Sequence, residues 1–561
     1  MITNDLKTNQ EKSIPLADYP RPRLVRDSYF NLNGEWDFSI SKAEPLEYTE
    51  KITVPFPPES ALSGIERGHE DGEKLYYKRK FTLPDGFVKK HVLLHFGAVD
   101  QLAEIYINGR QVGTHEGGYI PFTIDITSAL NEGENEIKVI ATDDLDLSYP
   151  YGKQTKKRGG MWYTPVSGIW QTVWMESLPD KAVRSIKITQ SQSEALFEVE
   201  TDSESLKLTL TESGEVFTST DGKFMISPSE KKLWSPEEPY LYHYTLESET
   251  ETVSGYFALR EIGTAVIDGV ARLTLNGKPY LFNGLLDQGY FPDGLFLPST
   301  YDGYKKDILT VKSLGFNTLR KHIKIEPEIF YYMCDLYGIA VFQDMVNNSD
   351  YSFIRDTALP TLGIKKLNDT KLHKDPVSRE IFIKSMRDTI EHLYSYPCVL
   401  YYTVFNEGWG QFCADDMYEL AKSLDKTRII DATSGWFTRT KSDVISHHVY
   451  FKKLKAAPSS TRPVVISEFG GYSHRCEGHL FGDKNYGYRT IKTKEELELA
   501  LEKLYTEEVK PLVEKCVSAL IYTQVSDIED ETNGFMTYDR QILKVDAESF
   551  ADLMKTLQEK T

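Results

Sequence analysis

From Thr264 onward, apolar runs of strand length alternate with helical segments, and this alternation limits the fold more than any other feature. Tyr304, Ile308 and Val311 show the helical spacing, which stops at Gly315. Apolar strands separated by helices indicate a parallel sheet that is buried on both faces. Eight such runs favour a (β/α)8 TIM barrel over an open sheet. The runs cover residues 280–288, 316–323, 339–345, 399–408, 429–435, 443–450, 463–470 and 519–527.

The residues before Thr264 indicate two all-β domains. Up to about Leu178, short alternating runs are separated by turn signals, and Asn33-Gly34 and Asn108-Gly109 are predicted hairpin turns. This pattern is typical of a β jelly-roll sandwich, and the next set of short strands suggests an immunoglobulin-like β-sandwich. The chain of 561 residues is also too long for one core. We predict a jelly-roll domain over 1–180, an immunoglobulin-like domain over 181–263 and a TIM-barrel domain over 264–561.

Composition excludes several classes of partner. The net charge of -19 argues against nucleic acid, because like charges repel phosphate. The five cysteines form no CxxC pair, so neither a disulfide framework nor a zinc site is predicted. The N-terminus is polar, and no apolar run is long enough for a transmembrane helix. We expect a cytoplasmic protein without a membrane partner, and a homo-oligomer is left open.

Polar residues follow the apolar runs at the strand ends where TIM barrels hold their active sites. Glu407 ends the fourth run and Glu468 the seventh. Two carboxyl groups across a barrel mouth suit glycoside hydrolysis, in which one protonates the leaving oxygen and the other acts at the oxocarbenium-like centre. A single glutamate at a strand end is more often a salt-bridge residue, but two on these strands favour catalysis.

Candidate substrate-binding residues are Asp287, Arg320, His322, Asp344, Asn406, Trp409, His448, Tyr450, Gln524 and, in the first domain, Trp162.

The neighbours of the two glutamates suggest different protonation states. Arg320 and Tyr450 are predicted donors to Glu468, which would keep it ionised. Phe405 and Trp409 are predicted to surround Glu407 with apolar groups and raise its pKa.

Several of these residues have a structural alternative. Only one of the adjacent residues His447 and His448 can face the barrel mouth. Asp344 serves equally well as the anchor of a loop. Trp162 lies on a Gly-rich loop from which it could reach a ligand, whereas Trp170 and Trp174 suit sandwich packing.

The sequence resembles glycoside hydrolase family 2, the family of β-galactosidases, β-glucuronidases and β-mannosidases. The resemblance extends over almost the whole chain. The motifs are NLNGEWDF (31–38) and MWYTPVSGIWQTVWME (161–176) in the first domain, LWSPEEPYLY (233–242) and GYFALREI (255–262) in the second, and FNTLRKH, YPCVLYYTVFNEG and VVISEFGG in the barrel.

The resemblance implies a retaining β-glycosidase. Glu407 in the Asn-Glu pair would be the acid/base, and Glu468 in ISEFG would be the nucleophile. Asn406 would bind the sugar 2-hydroxyl. Tyr450 matches a tyrosine that contacts the nucleophile, and Arg320 matches the arginine of the second strand.

Departures from the family pattern bear on the substrate. Residues 530–540 lack the Asn-x-Lys by which glucuronidases bind a sugar carboxylate, and QDMVNN after the third strand lacks the Glu-x-His of metal-dependent β-galactosidases. We therefore expect no metal and no cofactor. The expected substrate is an oligosaccharide or glycoside from which a terminal neutral sugar is released, with galactose favoured. Glucuronide, glucoside or arabinopyranoside specificity, transglycosylation and a non-catalytic carbohydrate-binding protein remain alternatives.

Overall fold

The computed structural model describes residues 14–364 and 368–558, and its C-terminal part is a barrel of eight parallel strands. Each strand coincides with one of the eight apolar runs, so the predicted TIM barrel is confirmed. We number the strands in chain order. They are β1 (Phe282–Asp287), β2 (Thr318–Lys321), β3 (Ala340–Asp344), β4 (Val399–Asn406), β5 (Ile429–Ser434), β6 (Ile445–Val449), β7 (Val464–Gly470) and β8 (Val517–Thr523).

The barrel closes between β5 and β6, which have no backbone ladder between them in the described chain. The Ser446 hydroxyl donates to Asp431 Oδ1 at 3.0 Å and so joins the two strands.

The α-helices are Asp302–Ser313, Glu328–Tyr337, Leu359–Thr361, Pro376–Leu393, Ala414–Leu424, Lys494–Lys503, Lys510–Lys515 and Ala547–Gln558. The π-helical turns are Ile354–Ala358 and Leu504–Val509, and the 3-10 turns are Ala61–Ser63, Thr127–Ala129 and Asp369–Lys371. Tyr304, Ile308 and Val311 are buried on the first helix, as their spacing predicts. None of the helices in the described ranges could cross a bilayer.

Two antiparallel sheets share one apolar core in the first domain. One contains Phe30–Asn31, Val173–Leu178, His91–Phe96 and Phe122–Asp125. The other contains Glu50–Val54, Gly34–Ser41, Lys74–Thr82, Glu134–Thr142, Leu102–Ile107 and Arg110–Glu116, and a short pair joins Val99–Asp100 to Gly168–Ile169.

One of the two predicted hairpin turns is wrong. Asn108-Gly109 does join two paired strands, with both residues at positive φ. At Asn33-Gly34, however, the chain passes from one sheet to the other, because Asn31 pairs with Trp174 and Gly34 pairs with Val54. The Asn33 side chain holds this crossing by accepting a bond from the Val173 amide at 3.1 Å.

The next residues form a second sandwich with its own core. Its sheets contain Val183–Gln190, Ala195–Thr201 and Lys223–Ile226, and Val216–Ser219, Leu206–Leu210, Tyr242–Glu247 and Thr252–Phe257. A three-stranded sheet leads into the barrel and contains Ile262–Ile267, Val270–Leu275 and Lys278–Pro279. A separate two-stranded sheet follows β7, in which Tyr472–His474 pairs with Arg489–Ile491. The domain boundaries at 180 and 263 stay predictions.

A buried carboxylate fastens the N-terminal segment to both sandwiches. Glu176 binds Arg21 at 2.9 Å and Arg26 at 2.8 Å, and Arg26 also binds Glu251 of the second sandwich at 2.9 Å. Burial alone would raise the pKa of Glu176, but Arg21, His95 and Arg26 together hold it well below its usual range. The ionised form of this carboxylate therefore stabilises the folded state.

We expect Glu176→Gln to lower the free energy of unfolding by about 3 kcal/mol, because it leaves buried guanidinium groups without their counter-charge. The shift of the urea unfolding midpoint, followed by tryptophan fluorescence, measures this loss. Glu104→Gln is the control, since Glu104 pairs with Lys74 at the surface. Equal midpoints for the two variants would contradict the assignment.

Candidate active site

Glu407 and Glu468 meet at the mouth of the barrel. Both side chains are buried, and carboxylate oxygens of the two residues lie within 4.8 Å of each other. The Tyr450 hydroxyl lies between them, 2.8 Å from Glu407 Oε1 and 2.6 Å from Glu468 Oε2. A phenol carries one proton, so it donates to only one carboxylate at a time. The geometry thus suits one protonated and one ionised carboxyl group.

Arg320 on β2 holds side chains from three other strands. Its guanidinium donates to Asp344 Oδ1 at 2.9 Å, to Asn406 Oδ1 at 2.9 Å and to Glu468 Oε1 at 3.0 Å. A further bond of 2.9 Å reaches the carbonyl of Ser467. Arg320 is 1% exposed, so water screens these charge-assisted bonds very little.

The surroundings of Glu468 favour its ionised form. Burial alone would raise the pKa of this carboxyl group. The neighbouring His448, Arg320 and His322 side chains and the hydrogen bond from Tyr450 outweigh burial and lower the pKa. Glu468 is therefore a carboxylate at neutral pH.

Two histidines complete the network. His448 contacts Glu407 Oε1 through Nδ1 at 2.8 Å and Ser434 through Nε2 at 2.9 Å. His322 contacts Asp344 Oδ2 at 2.7 Å, and burial lowers the pKa of His322. Gly435 leaves room for the His448 ring, because a Cβ at this position would lie 2.4 Å from His448 Cγ.

Glu407 has a strained backbone. Its φ is 50°, in the left-handed region that a non-glycine residue adopts at a cost of roughly 1–2 kcal/mol. The amide of Glu407 donates to the Ser434 carbonyl at 3.0 Å and helps to hold this conformation. Such strain is concentrated at functional sites.

Aromatic rings from two domains form one wall of the mouth. Trp162 of the first domain stacks on Trp409, with ring centroids 5.4 Å apart, and Tyr351 packs edge-on against both. Trp409 Nε1 and Asn406 Nδ2 are buried donors that have no acceptor among the described residues. Buried polar groups are normally paired, so these two donors are available to a polar ligand at the mouth.

One expectation for an individual residue is wrong. Phe405 does not surround Glu407 but stacks on Phe382 of helix Pro376–Leu393 at 5.0 Å. Its neighbour Asn406 points inward to Arg320, so Phe405 points outward, and the positive φ of Glu407 takes the Glu407 side chain out of the strand alternation. The Asp287 carboxylate pairs with Lys321 at 2.7 Å, and its contact with substrate stays a prediction.

The other predicted residues lie in the network or next to it. His322, Asp344, Asn406, His448 and Tyr450 belong to it. Gln524 lies beside it and donates to Asn533 Oδ1 at 2.8 Å. Whether each predicted residue binds substrate stays a prediction.

Sequence reasoning missed Lys153 and Glu531. The Lys153 ammonium lies 5.6 Å from the Trp409 ring centroid, and Glu531 accepts a hydrogen bond from the Tyr163 hydroxyl. Nothing in the run KQTKKR distinguishes Lys153 from Lys156 and Lys157, so local sequence gives no signal for its position.

One group of side chains in the described ranges has the spacing of metal ligands. It consists of Glu407, His448 and Glu468. The Arg320 guanidinium and the Tyr450 hydroxyl already bind Glu468, and a divalent cation beside this guanidinium would be repelled by it. This donor set does not fit a resident metal.

Comparison with known sequences identifies the family. Residues 64–179 match the sequence model of the sugar binding domain of glycosyl hydrolases family 2, and residues 266–537 match that of its TIM barrel domain. The chain belongs to glycosyl hydrolase family 2. The resemblance predicted from the motifs is thus confirmed.

Relatives of this family 2 chain are distant. It is 25% identical over 443 residues to a β-galactosidase of Thermoanaerobacter pseudethanolicus, with 73% of this chain and 55% of the relative covered. It is 22% identical over 534 residues to a β-galactosidase of Pseudoalteromonas haloplanktis, with 81% and 48% covered. The chain thus spans about half the length of these relatives.

Solved family 2 structures share the fold of this chain over nearly its full length. The β-glucuronidase of an uncultured Clostridium sp. has a TM-score of 0.74 at 18% identity and covers 95% of this chain and 99% of its own. A β-galacturonidase from Eisenbergiella tayi bound to galacturonate has a TM-score of 0.70 at 19% identity, with 96% and 99% covered. At this identity the likeness shows the fold alone.

We expect Arg320→Met to lower the free energy of unfolding by about 3–5 kcal/mol at pH 7, because it leaves Asp344 and Glu468 buried without a counter-charge. In the intact protein both pKa values are lowered, so both carboxylates contribute stability above their unfolded pKa and lose it as pH falls. Without the guanidinium, burial is opposed less strongly and both pKa values rise relative to the intact protein, so the loss in the variant should shrink toward pH 5.

Urea unfolding at pH 7 and pH 5 measures this pH dependence. Arg184→Met is the control, because Arg184 pairs with Asp202 at the surface. A loss for Arg320→Met that is the same at both pH values would contradict the electrostatic role of Arg320.

Proposed function

We propose that the chain is a metal-independent, retaining exo-β-glycosidase that releases a terminal neutral sugar, with galactose favoured. The observation that carries the proposal is the approach of Glu407 and Glu468 to within 4.8 Å. Retaining glycosidases hold their carboxyl groups about 5–5.5 Å apart, whereas inverting enzymes need about 6.5–9.5 Å to admit a water molecule between the sugar and the base.

In the first step, the Glu468 carboxylate attacks the anomeric carbon. The glycosidic bond breaks as the proton of Glu407 moves to the leaving oxygen, and a covalent ester between sugar and Glu468 remains. The lowered pKa of Glu468 favours the ionised nucleophile that this step needs.

In the second step, the Glu407 carboxylate takes a proton from a water molecule as the water oxygen attacks the anomeric carbon. The bond to Glu468 breaks, the sugar leaves with its original configuration, and Glu407 is again protonated. The contacts of Glu407 with His448 and Tyr450, both at 2.8 Å, position it for this exchange.

The unpaired donors of the pocket support carbohydrate as the ligand. Asn406 Oδ1 is held by Arg320, so Asn406 Nδ2 is free to bind a sugar hydroxyl, as is Trp409 Nε1. The Trp162–Trp409 stack walls the mouth and supports cleavage at the end of a saccharide chain. A binding protein without catalysis would have no need for two carboxyl groups at this spacing.

β-Glucuronide hydrolysis is the second candidate, since the solved neighbours include β-glucuronidases. Against it, the loop after β8 reads Asn533-Gly534-Phe535, and Phe535 is buried against Tyr522 and Phe550. This loop therefore offers no lysine at the position where glucuronidases are expected to bind the sugar carboxylate.

We expect Glu468→Ala to retain less than about a thousandth of the activity on nitrophenyl β-galactoside, because the nucleophile is lost. Azide should restore turnover with an α-azide product, since the anion enters from the side of the missing carboxylate. In Glu407→Ala the azide product should keep the β configuration. NMR of the products distinguishes these outcomes.

Glu477→Gln is the control for both variants, since the Glu477 side chain is exposed at the surface. Inversion of configuration by the intact enzyme would overturn the mechanism.

We expect a panel of nitrophenyl β-galactoside, β-glucoside, β-glucuronide and arabinopyranoside to give the highest kcat/KM for the galactoside. The expectation rests on the named relatives and on the loop after β8. A higher kcat/KM for the glucuronide would replace the first candidate with the second.

A further inference from the structure

Lys153 is a buried cation at the barrel mouth that the proposed mechanism does not use. It lies on the first-domain loop next to Trp162 and is 8% exposed. Its ammonium lies 5.6 Å from the Trp409 ring centroid and 5.7 Å from that of Tyr163. Among the described residues, no carboxylate lies within ion-pair distance of this ammonium and no hydrogen-bond acceptor is assigned to it. An ammonium without a partner is available to a ligand.

Glu531 is a buried acid that contacts the same tyrosine. It lies on the loop after β8 and is 2% exposed. The Tyr163 hydroxyl donates to Glu531 Oε2, and the Tyr163 amide donates to the Lys153 carbonyl at 3.0 Å. Tyr163 therefore fixes the positions of Lys153 and Glu531 relative to each other, although they belong to different domains.

A chain of contacts connects Glu531 to the barrel mouth, because its carboxylate binds the Tyr163 hydroxyl and the Lys153 ammonium lies near both the Tyr163 and the Trp409 rings. Burial raises the pKa of Glu531, and the Lys153 charge and the Tyr163 hydrogen bond offset this rise in part. The charge of Glu468 also raises this pKa, so the two carboxylates repel each other. The Lys153 charge likewise lowers the pKa of His322, which belongs to the Arg320 network.

We propose that Lys153 and Glu531, here called the Lys153–Glu531 pair, select a neutral sugar in the pocket and exclude a sugar that carries a carboxylate. The inference rests on the proposed function and names the residues that decide its substrate class. A hydroxyl group both donates and accepts, so neighbouring sugar hydroxyls can bind an ammonium and a carboxylate together.

A uronate fits this pair poorly. Its carboxylate only accepts hydrogen bonds and would gain from Lys153, but it would also approach the negative charges of Glu531 and Glu468. Specificity of this kind depends on the repulsive group as much as on the attractive one. Glu531 is therefore the residue that excludes uronates, and Lys153 is the one that binds the hydroxyls of the neutral sugar.

The test compares two substrates that differ only at C6, nitrophenyl β-galactoside and nitrophenyl β-galacturonide. Glu531→Gln keeps the shape of the side chain and removes its charge. It should raise the ratio of kcat/KM for the galacturonide to that for the galactoside by about tenfold or more. Lys153→Met should lower kcat/KM for the galactoside by about tenfold without raising this ratio.

Two controls match these variants. Lys156→Met changes a lysine of the same loop that pairs with Asp71 at the surface, and Glu477→Gln removes an exposed charge. Both should leave the ratio unchanged. The ratio is measured within one protein sample, so a partly unfolded preparation lowers both values equally and does not alter it.

The outcomes separate the inference from the proposed function. If the enzyme hydrolyses the galactoside with retention and Glu531→Gln leaves the ratio within about twofold, the inference alone is overturned. A preference of the intact enzyme for the galacturonide overturns the inference but leaves the roles of Glu407 and Glu468 intact. Absence of turnover and of azide rescue on every β-glycoside overturns the proposed function together with the inference.

Discussion

The arrangement of the barrel mouth depends on the Arg320 guanidinium. This cation binds Asp344, Asn406 and Glu468, so the ends of four strands are fixed by one side chain. The same contacts determine the chemistry. They help to keep Glu468 ionised, orient Asn406 with its amide nitrogen free, and hold the carboxylate that positions His322. Packing and reactivity therefore rest on the same buried charges.

The mouth is completed by the first domain. The Tyr151 amide donates to the Asn347 carbonyl at 3.0 Å, and the Thr164 amide donates to Glu529 at 2.9 Å. The loop between Tyr151 and Thr164 is thus attached at both ends to barrel loops, and from it Trp162 reaches the pocket. A loop that is attached in this way costs less ordering entropy when a ligand binds, so it can contribute to substrate selection.

Sequence predicted the parts of the molecule that follow from local periodicity. The eight strands and the positions of Glu407 and Glu468 could be read from apolar runs and from the polar residues at their ends. The Phe405 side chain was misplaced, because the sequence does not show that Glu407 leaves the alternation of its strand at the end of the run. Lys153 and Glu531 could not be found, since their proximity arises from contacts between domains.

The single proton of Tyr450 has a consequence for the whole catalytic cycle. In the proposed mechanism the negative charge resides on Glu468 in the free enzyme and on Glu407 once the sugar ester has formed. The Tyr450 oxygen lies 2.6 Å from one carboxyl group and 2.8 Å from the other, so a rotation about one bond lets its hydrogen follow the charge. The net charge of the pocket stays constant because Glu407 becomes ionised as Glu468 is esterified, so no counter-ion has to enter or leave as the enzyme turns over.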